Sequence, residues 1–367
     1  MALTGICLVL FVTFHVLMNA VAIFWPTAYN EICIFLGANW YALIASAGLG
    51  LLMVIHIIYA VILTIQNRKA RGNNRYKISA TPKSVEWSSQ NMLVLGIVVV
   101  AFLVVHLVQF WAKMQAQEVL GSVYSVNGVE VMPQAGTLFI QLAFQQVWTP
   151  IIYIIGFVAL WFHMNHGFWS MLQSVGWNNQ AWLPRIKCIG NAWVTIVIGL
   201  FTIQAVVFTV RAMDKYYVED PDLMQQYAEM YNKHYEHELE NVVLELQAAE
   251  REREAILSNN ELSTEEKAAA TLPIESKLQM LNVKGNEIYG KMMQISRGSL
   301  YDELPKIAEV QCCFKSCCKD DACETEACAT PEAENTAAEA DKAEIAPEAE
   351  EAPEAENATA ETPVENN

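Results

Sequence analysis

Histidine is the residue type in this chain whose placement most directly suggests chemistry. Five of the seven histidines lie within long stretches that contain no Asp, Glu, Lys or Arg: His15, His56, His106, His163 and His166. An imidazole inside an apolar segment is costly, and neutral imidazole is the commonest metal ligand in proteins. For any single histidine, packing with a hydrogen bond to a neighbouring carbonyl is an equally good interpretation. The five together favour a functional role.

The apolar stretches are long enough to cross a bilayer, which takes about 20 residues, or roughly 30 Å at about 1.5 Å per residue. The stretch 131–184 has room for two spans, but its polar, turn-prone ends favour one. The predicted fold is an all-α membrane protein whose first domain, residues 1–213, is a five-helix transmembrane bundle. The five predicted spans are 2–25, 40–66, 91–112, 147–169 and 188–210.

Basic residues predict the orientation of this bundle. The loop between the second and third spans contains six Lys and Arg, and the loop between the fourth and fifth contains Arg185 and Lys187. Lys113 is the only cation in the two loops on the opposite side. By the positive-inside rule, the N-terminus is cytoplasmic and the C-terminus is periplasmic, in a multi-pass protein of the inner (cytoplasmic) membrane.

The histidines fall at two depths. His15 and His106 lie past the middle of spans one and three, toward the outer face, whereas His56 and His163 lie past the middle of spans two and four, toward the cytoplasm. The two depths differ by about 10 Å or more at about 1.5 Å per residue. Facing imidazoles form a bis-histidine site, and helix bundles hold large cofactors on side chains of facing helices. The two pairs therefore predict two b-type haems, one above the other.

Two other features of the histidines limit this interpretation. A cytochrome of the bc type carries two haem histidines well separated on one helix, and no span here has that spacing. His166 follows His163 by only three residues, and we interpret it as an interfacial or haem-edge residue.

The segments around these histidines resemble the membrane cytochrome b subunit of succinate dehydrogenase and fumarate reductase, in its single-polypeptide, five-helix, dihaem form, and are most similar to the Bacteroides-like type. The resemblance covers residues 1–213. In that family each of the first four spans supplies one axial histidine, which implies the pairs His15–His106 and His56–His163. The matching segments are MALTGICLVLFVTFHVLMN (1–19), HIIYAVILTIQNRKARGNNRY (56–76), WSSQNMLVLG (87–96) and FHMNHGFWSMLQSVGWNN (162–179).

The resemblance implies a non-catalytic electron-transfer subunit. Electrons would pass through two b haems between an iron–sulfur subunit on the cytoplasmic face and menaquinone near the outer face, while a separate flavoprotein subunit carries the succinate or fumarate chemistry. Glu31, the only carboxylate of the first loop, is the candidate catalytic base for the quinone, with a solvated loop acid as the alternative. Three interpretations stay open for five cations: pairing with haem propionates, pairing with a partner subunit, or no role beyond marking the cytoplasmic side of the membrane. These cations are Arg68, Arg71, Arg75, Arg185 and Lys187.

The second half of the chain is acidic, with thirteen Lys and Arg against thirty-six Asp and Glu in residues 214–367. This balance argues against nucleic acid as a partner. Apolar spacing predicts a long helix over 221–258, and Pro273 predicts the start of a second helix of about 20 residues. Residues 214–300 are therefore expected to form a helical hairpin or coiled-coil arm, with His234 and His237 on its surface.

The last part of the chain has two distinctive compositions. The segment 301–328 contains six cysteines, whose spacing fits neither the usual zinc pattern nor a ferredoxin, so disulfides and a soft-metal or redox site both stay open. Residues 329–367 are rich in Ala, Glu and Pro without aromatic residues, which predicts a disordered acidic tail. Two other functions also stay open for the whole chain: the haem b membrane subunit of another oxidoreductase, such as hydrogenase or formate dehydrogenase, and a non-redox membrane scaffold.

Overall fold

The computed structural model describes residues 1–37, 39–71, 87–177, 179 and 181–308. The predicted cysteine cluster at 312–328, the acidic tail and Arg75 lie outside these residues. Within the described residues the chain is all-α apart from one two-stranded hairpin, and residues 1–311 form one compact unit.

Five helices are long and apolar enough to cross a membrane, which confirms the predicted membrane bundle and the single span within 131–184. The third span continues from its α-helix through a π-helical turn, Leu107–Trp111. The fourth and fifth helices are each longer than predicted, because each helix continues through the polar or charged residues at which the predicted span stops. The spans are α1 (Ala2–Phe24), α3 (Trp40–Arg71), α5 (Met92–His106), α8 (Trp148–Ser174) and α9 (Leu183–Met213), separated by α2 (Pro26–Gly37), α4 (Trp87–Gln90), α6 (Gln115–Leu120) and α7 (Gly136–Phe144).

The two ends of the bundle are named here by residues. The Met1 side is the end where α1, α5 and α9 begin, and the Met213 side is the end where they finish. Most apolar side chains of the spans face outward, as expected for helices that contact lipid. This is clearest in α3, in which no described side chain is buried.

A second layer of structure covers the Met213 side. It contains α2, α6, α7 and a hairpin of β1 (Tyr124–Val126) and β2 (Val129–Val131), followed by α10 (Tyr216–Glu219), α11 (Pro221–Ser258), α12 (Thr264–Ser296), α13 (Ser299–Glu303) and a 3₁₀ turn, Leu304–Ala308. The strands pair antiparallel, with Tyr124 opposite Val131. All nine residues of α7 are buried, so this short helix forms the centre of the layer.

A buried polar cluster joins three helices of the covering layer to one another. Asn30 of α2 donates to Gln226 Oε1 of α11 at 2.9 Å and accepts from Thr137 of α7 through both its backbone N–H and its hydroxyl. The Tyr227 hydroxyl lies 2.7 Å from Thr137 Oγ1. Because unpaired buried polar groups are costly, these mutual bonds fix the register between α2, α7 and α11.

The predicted long helix over 221–258 is confirmed by α11, whose N-cap Asp220 accepts from the Leu223 N–H. The prediction that Pro273 starts the second helix is wrong, because α12 begins nine residues earlier and runs through this proline. Ser263 and Glu266 form a reciprocal capping box at its start, and Ile274, Leu278 and Leu281 are buried. The cap and this burial outweigh the lost hydrogen bond at Pro273, which costs about 3 kcal/mol in a helix interior.

Candidate metal centres

The four histidines that the sequence predicts as cofactor ligands lie in two pairs. The ring centroids of His15 and His106 are 5.8 Å apart with planes at 82°, and those of His56 and His163 are 6.3 Å apart with planes at 63°. The structure therefore brings together the same partners that sequence depth pairs. Each pair joins two helices, α1 with α5 and α3 with α8.

These spacings suit one metal ion between two imidazoles. A metal–imidazole nitrogen bond is about 2 Å long and the ring centroid lies about 1 Å behind the nitrogen, so two axial imidazoles have centroids about 6 Å apart. Rings that share an axis through the metal can be rotated about it by any angle, which the planes at 82° and 63° satisfy.

The number of protein ligands limits the kind of metal centre. Among the described residues, no group of three or more His, Cys, Asp or Glu is close enough to hold an ion. A structural zinc site takes four protein ligands, and each site here offers two. Two neutral imidazoles in an apolar bundle fit a metal whose remaining ligands come from its own macrocycle, as in haem.

A buried hydrogen-bond chain sets the tautomer of His106. Tyr153 donates its only hydroxyl proton to Gln109 Oε1 at 2.9 Å, and Gln109 donates in turn to Thr149 Oγ1 at 3.0 Å. The Tyr153 oxygen, 3.2 Å from His106 Nδ1, must therefore accept the Nδ1–H. This leaves the lone pair of His106 on Nε2, where a metal would bind.

His56 is oriented in the same way by a different residue. The Thr4 hydroxyl donates to the Met1 carbonyl at 2.8 Å, so its oxygen, 3.0 Å from His56 Nδ1, accepts the Nδ1–H. The lone pair of His56 is again on Nε2. His163 differs, because its Nδ1 is buried without a hydrogen-bond partner among the described residues.

His15 already presents an unprotonated nitrogen. The Asn19 amide donates to His15 Nε2 at 3.1 Å, and Asn19 Oδ1 accepts from the Tyr29 hydroxyl at 3.3 Å. A metal bound at Nε2 would take the place of the Asn19 amide. The His15 ring also packs against Phe11 and Phe201, which keeps its surroundings apolar.

The other candidate residues are spread over both sides. Glu31 is exposed on α2 and accepts from Gln226 Nε2 at 2.9 Å, so the structure places it on the outer surface of the covering layer. His166 packs against Trp169, whose ring also lies 3.9 Å from Lys187 Nζ, and Arg185 lies over Trp182. Arg68 is exposed near the end of α3. His234 and His237 are exposed, as predicted.

Sequence reasoning missed the residues that orient the ligands. Tyr153, Gln109 and Thr149 are buried, although two of them belong to polar residue types inside apolar spans. Gln109 could have been identified from the sequence as a neighbour of His106, because it follows His106 by three residues and so lies on nearly the same helix face. Compared with known proteins, the chain matches no protein-family model, no curated protein and no solved structure.

Proposed function

We propose that this chain is a dihaem cytochrome b, the membrane subunit of a succinate dehydrogenase or fumarate reductase that exchanges electrons with menaquinone. The observation that carries the proposal is the presence of two histidine pairs with ring centroids 5.8 and 6.3 Å apart, joining four spans of one bundle. Haem supplies a one-electron carrier at each pair when bound.

The two pairs lie at separate levels along the spans. Thr4, which contacts His56, precedes His15 on α1 by eleven residues. At about 1.5 Å per residue the two levels are about 16 Å apart. Two carriers at this separation would connect the two faces of the membrane, where moving one charge is worth about 2.3 kcal/mol per 100 mV.

Hydrogen bonds within the chain orient one histidine of each pair for metal binding. Tyr153 and Thr4 hold the Nδ1–H groups of His106 and His56, so each Nε2 is available without rearrangement of the proton. Phe102 and Phe110 pack against His106 and exclude water around it. A dry, preoriented site keeps an electron carrier at a defined potential.

The direction of the bundle follows from the loop charges. We place the Met1 side in the cytoplasm, with the iron–sulfur and flavoprotein subunits docked there, and the Met213 side in the periplasm. Arg68, Arg185 and Lys187 belong to the Met1 side, the side on which a partner subunit would dock.

Haem content is the first test. Purified membranes should give a reduced-minus-oxidised spectrum with two b haems per chain. His106→Ala should remove one haem and leave the other, His56→Ala should remove the other, and His237→Ala, at an exposed histidine, should keep both. Absence of haem from the wild-type protein, or two haems in His56→Ala, would refute the assignment.

The partner enzyme is tested by the electron donor. Succinate added to membranes should reduce the haems, whereas hydrogen and formate should not. Reduction by hydrogen or formate alone would instead assign the chain to another oxidoreductase. A purified complex should also contain covalent or tightly bound flavin and iron–sulfur clusters.

A further inference from the structure

The fifth span, α9, carries no histidine, yet it bonds to the span that carries His15. Gln204 of α9 donates from Nε2 to the Val16 carbonyl of α1 at 2.7 Å. Val16 directly follows His15, and both Val16 and Gln204 are buried, with 1% and 3% of their surfaces exposed. The bond therefore acts on the backbone of α1 next to a predicted metal ligand.

The Val16 carbonyl can accept this bond while it stays part of the helix. A carbonyl oxygen has two lone pairs, and the hydrogen-bond ladder of an α-helix uses only one of them. A buried side-chain amide without a partner is costly, and in a bilayer no water can replace the partner. Gln204 therefore holds α1 against α9 at this level, as polar side chains commonly do between membrane helices.

A second contact shows that α1 and α9 run side by side. Arg211 follows Gln204 by seven residues. It donates to the carbonyls of Ala22 and Ile23, which follow Val16 by six and seven residues. Seven residues are about two turns of helix, so the two contacts lie on nearly the same face of each helix and about 10 Å apart along it. Two fixed points at this separation leave α1 little freedom to rotate.

A chain of aromatic rings also connects α9 to both histidines of this pair. The ring centroid of Phe201, on α9, lies 5.9 Å from that of His15 and 5.5 Å from that of Phe157. The centroid of Phe157 lies 5.7 Å from that of Phe102, whose ring stacks on His106 at 6.1 Å. Rings from α9, α8 and α5 thus form a continuous path from one imidazole to the other, and α9 contacts His15 through both a side chain and the backbone.

We propose that Gln204 is a positioning residue for the metal site at His15 and His106, an inference that rests on the proposed dihaem function. Through the Val16 carbonyl it sets the rotation of α1. The rotation of α1 in turn sets the plane of the His15 imidazole, which stands at 82° to that of His106. A side chain lies about 5 Å from the helix axis, so a turn of α1 by about 20° would displace the ring by about 2 Å, the length of a metal–nitrogen bond.

The angle between two axial imidazoles can be measured. Perpendicular ligand planes leave two d orbitals of low-spin ferric iron nearly equal in energy, which gives an electron paramagnetic resonance line at very low field. Planes closer to parallel separate these orbitals and move the line to higher field. The pair at 82° should therefore give the line at lower field and the pair at 63° a separate line at higher field, so that one spectrum reports on both sites.

The test is the ferric spectrum of the purified complex with Gln204 replaced. Gln204→Leu removes the donor at nearly the same size, so the line of the His15–His106 site should move to higher field while the other line keeps its position. Gln204→Glu keeps the length and, as a neutral acid in an apolar site, one donor, so it should restore the wild-type line. Thr202→Val is the matched control and should match the wild type, because the Thr202 hydroxyl bonds within α9 to the Ile198 carbonyl.

Haem content separates this role from a general effect on folding. Pyridine haemochrome assays should give two haems per chain in Gln204→Glu and Thr202→Val. Gln204→Leu should keep the haem of the His56–His163 pair, whether the other haem is shifted or lost. An unmoved line in Gln204→Leu, an equal shift of both lines, loss of both haems, or a Gln204→Glu spectrum identical to that of Gln204→Leu would overturn the role of Gln204. Absence of haem from the wild-type protein would instead refute the dihaem function itself.

Discussion

Replacing Tyr153 by Phe removes one hydroxyl from the buried chain that begins at His106. The aromatic ring would stay in place, because it packs against Phe102, Phe144 and Phe157 with centroids 5.1, 5.1 and 5.9 Å away. What is lost is the acceptor of the His106 Nδ1–H and the donor to Gln109 Oε1. The substitution therefore tests the electronic role of the hydroxyl with little change of packing.

The expected effect is a rise in the midpoint potential of the haem proposed at the His15–His106 pair. An acceptor at Nδ1 makes the imidazole a stronger electron donor to the metal and favours the ferric state. A buried hydrogen bond left unmade costs about 1–3 kcal/mol. If about 1.4 kcal/mol of this acts on the ferric state, the ferric-to-ferrous ratio changes about tenfold, which is about 59 mV for a one-electron couple.

Optical redox titration of the purified complex measures both haems together. Tyr153→Phe should shift one component upward and leave the other in place, since the second pair lies about 16 Å away along the spans. Thr4→Val, which removes the acceptor at His56, should shift the other component instead. If Tyr153→Phe moved neither component, or moved both equally, the orientation of His106 by Tyr153 would be refuted.

Three further predictions concern the architecture that holds the sites. Gly156→Ala should lower haem content, because the added methyl group would overlap the Phe102 ring where α5 meets α8, and pyridine haemochrome assays of matched membranes measure this. Pro273→Ala should stabilise α12 by about 1–3 kcal/mol by restoring a helical N–H, seen as slower hydrogen exchange of its amides; unchanged exchange would contradict it. Glu130 accepts from Tyr235 and Lys291, and although its burial opposes ionisation, these donors hold its pKa below the ordinary value. Ionised Glu130 therefore stabilises the docking of the β1–β2 hairpin on α11 and α12. This stabilisation is fully present above the ordinary carboxyl pKa and is lost as the pH falls through the lower pKa that Glu130 has in the folded protein. Glu130→Gln should remove this pH dependence, which hydrogen exchange of the β2 amides measures.

The spans and the paired depths of the histidines could be predicted because both depend on local regularities. A charge-free stretch of about 20 residues and a rise of about 1.5 Å per residue are enough to place His15 level with His106 and His56 level with His163. The same regularities predicted α11, whose start at Pro221 follows a capping Asp220.

The missed features depend on contacts between distant parts of the chain. The segment that contains α7 has turn-prone ends in sequence, yet all nine of its helical residues are buried because α2, α9 and α10 surround them. Pro273 is a strong local stop signal, and the long contact of α12 with α11, together with the capping box at Ser263, outweighs it. Glu31 is a lone loop carboxylate in sequence, and only the fold shows that it accepts from Gln226 of α11, 195 residues away.

Arg211, near the end of α9, makes a contact with α1 that can form only late in synthesis. Its guanidinium donates to the carbonyls of Ala22 and Ile23, the last turn of α1, across 189 and 188 residues of sequence. At about 5–20 residues per second of synthesis, the ribosome needs about 10–40 s to deliver this partner. Until then those carbonyls lack the Arg211 guanidinium, so this contact of the first span can form only after the fifth span has been synthesised.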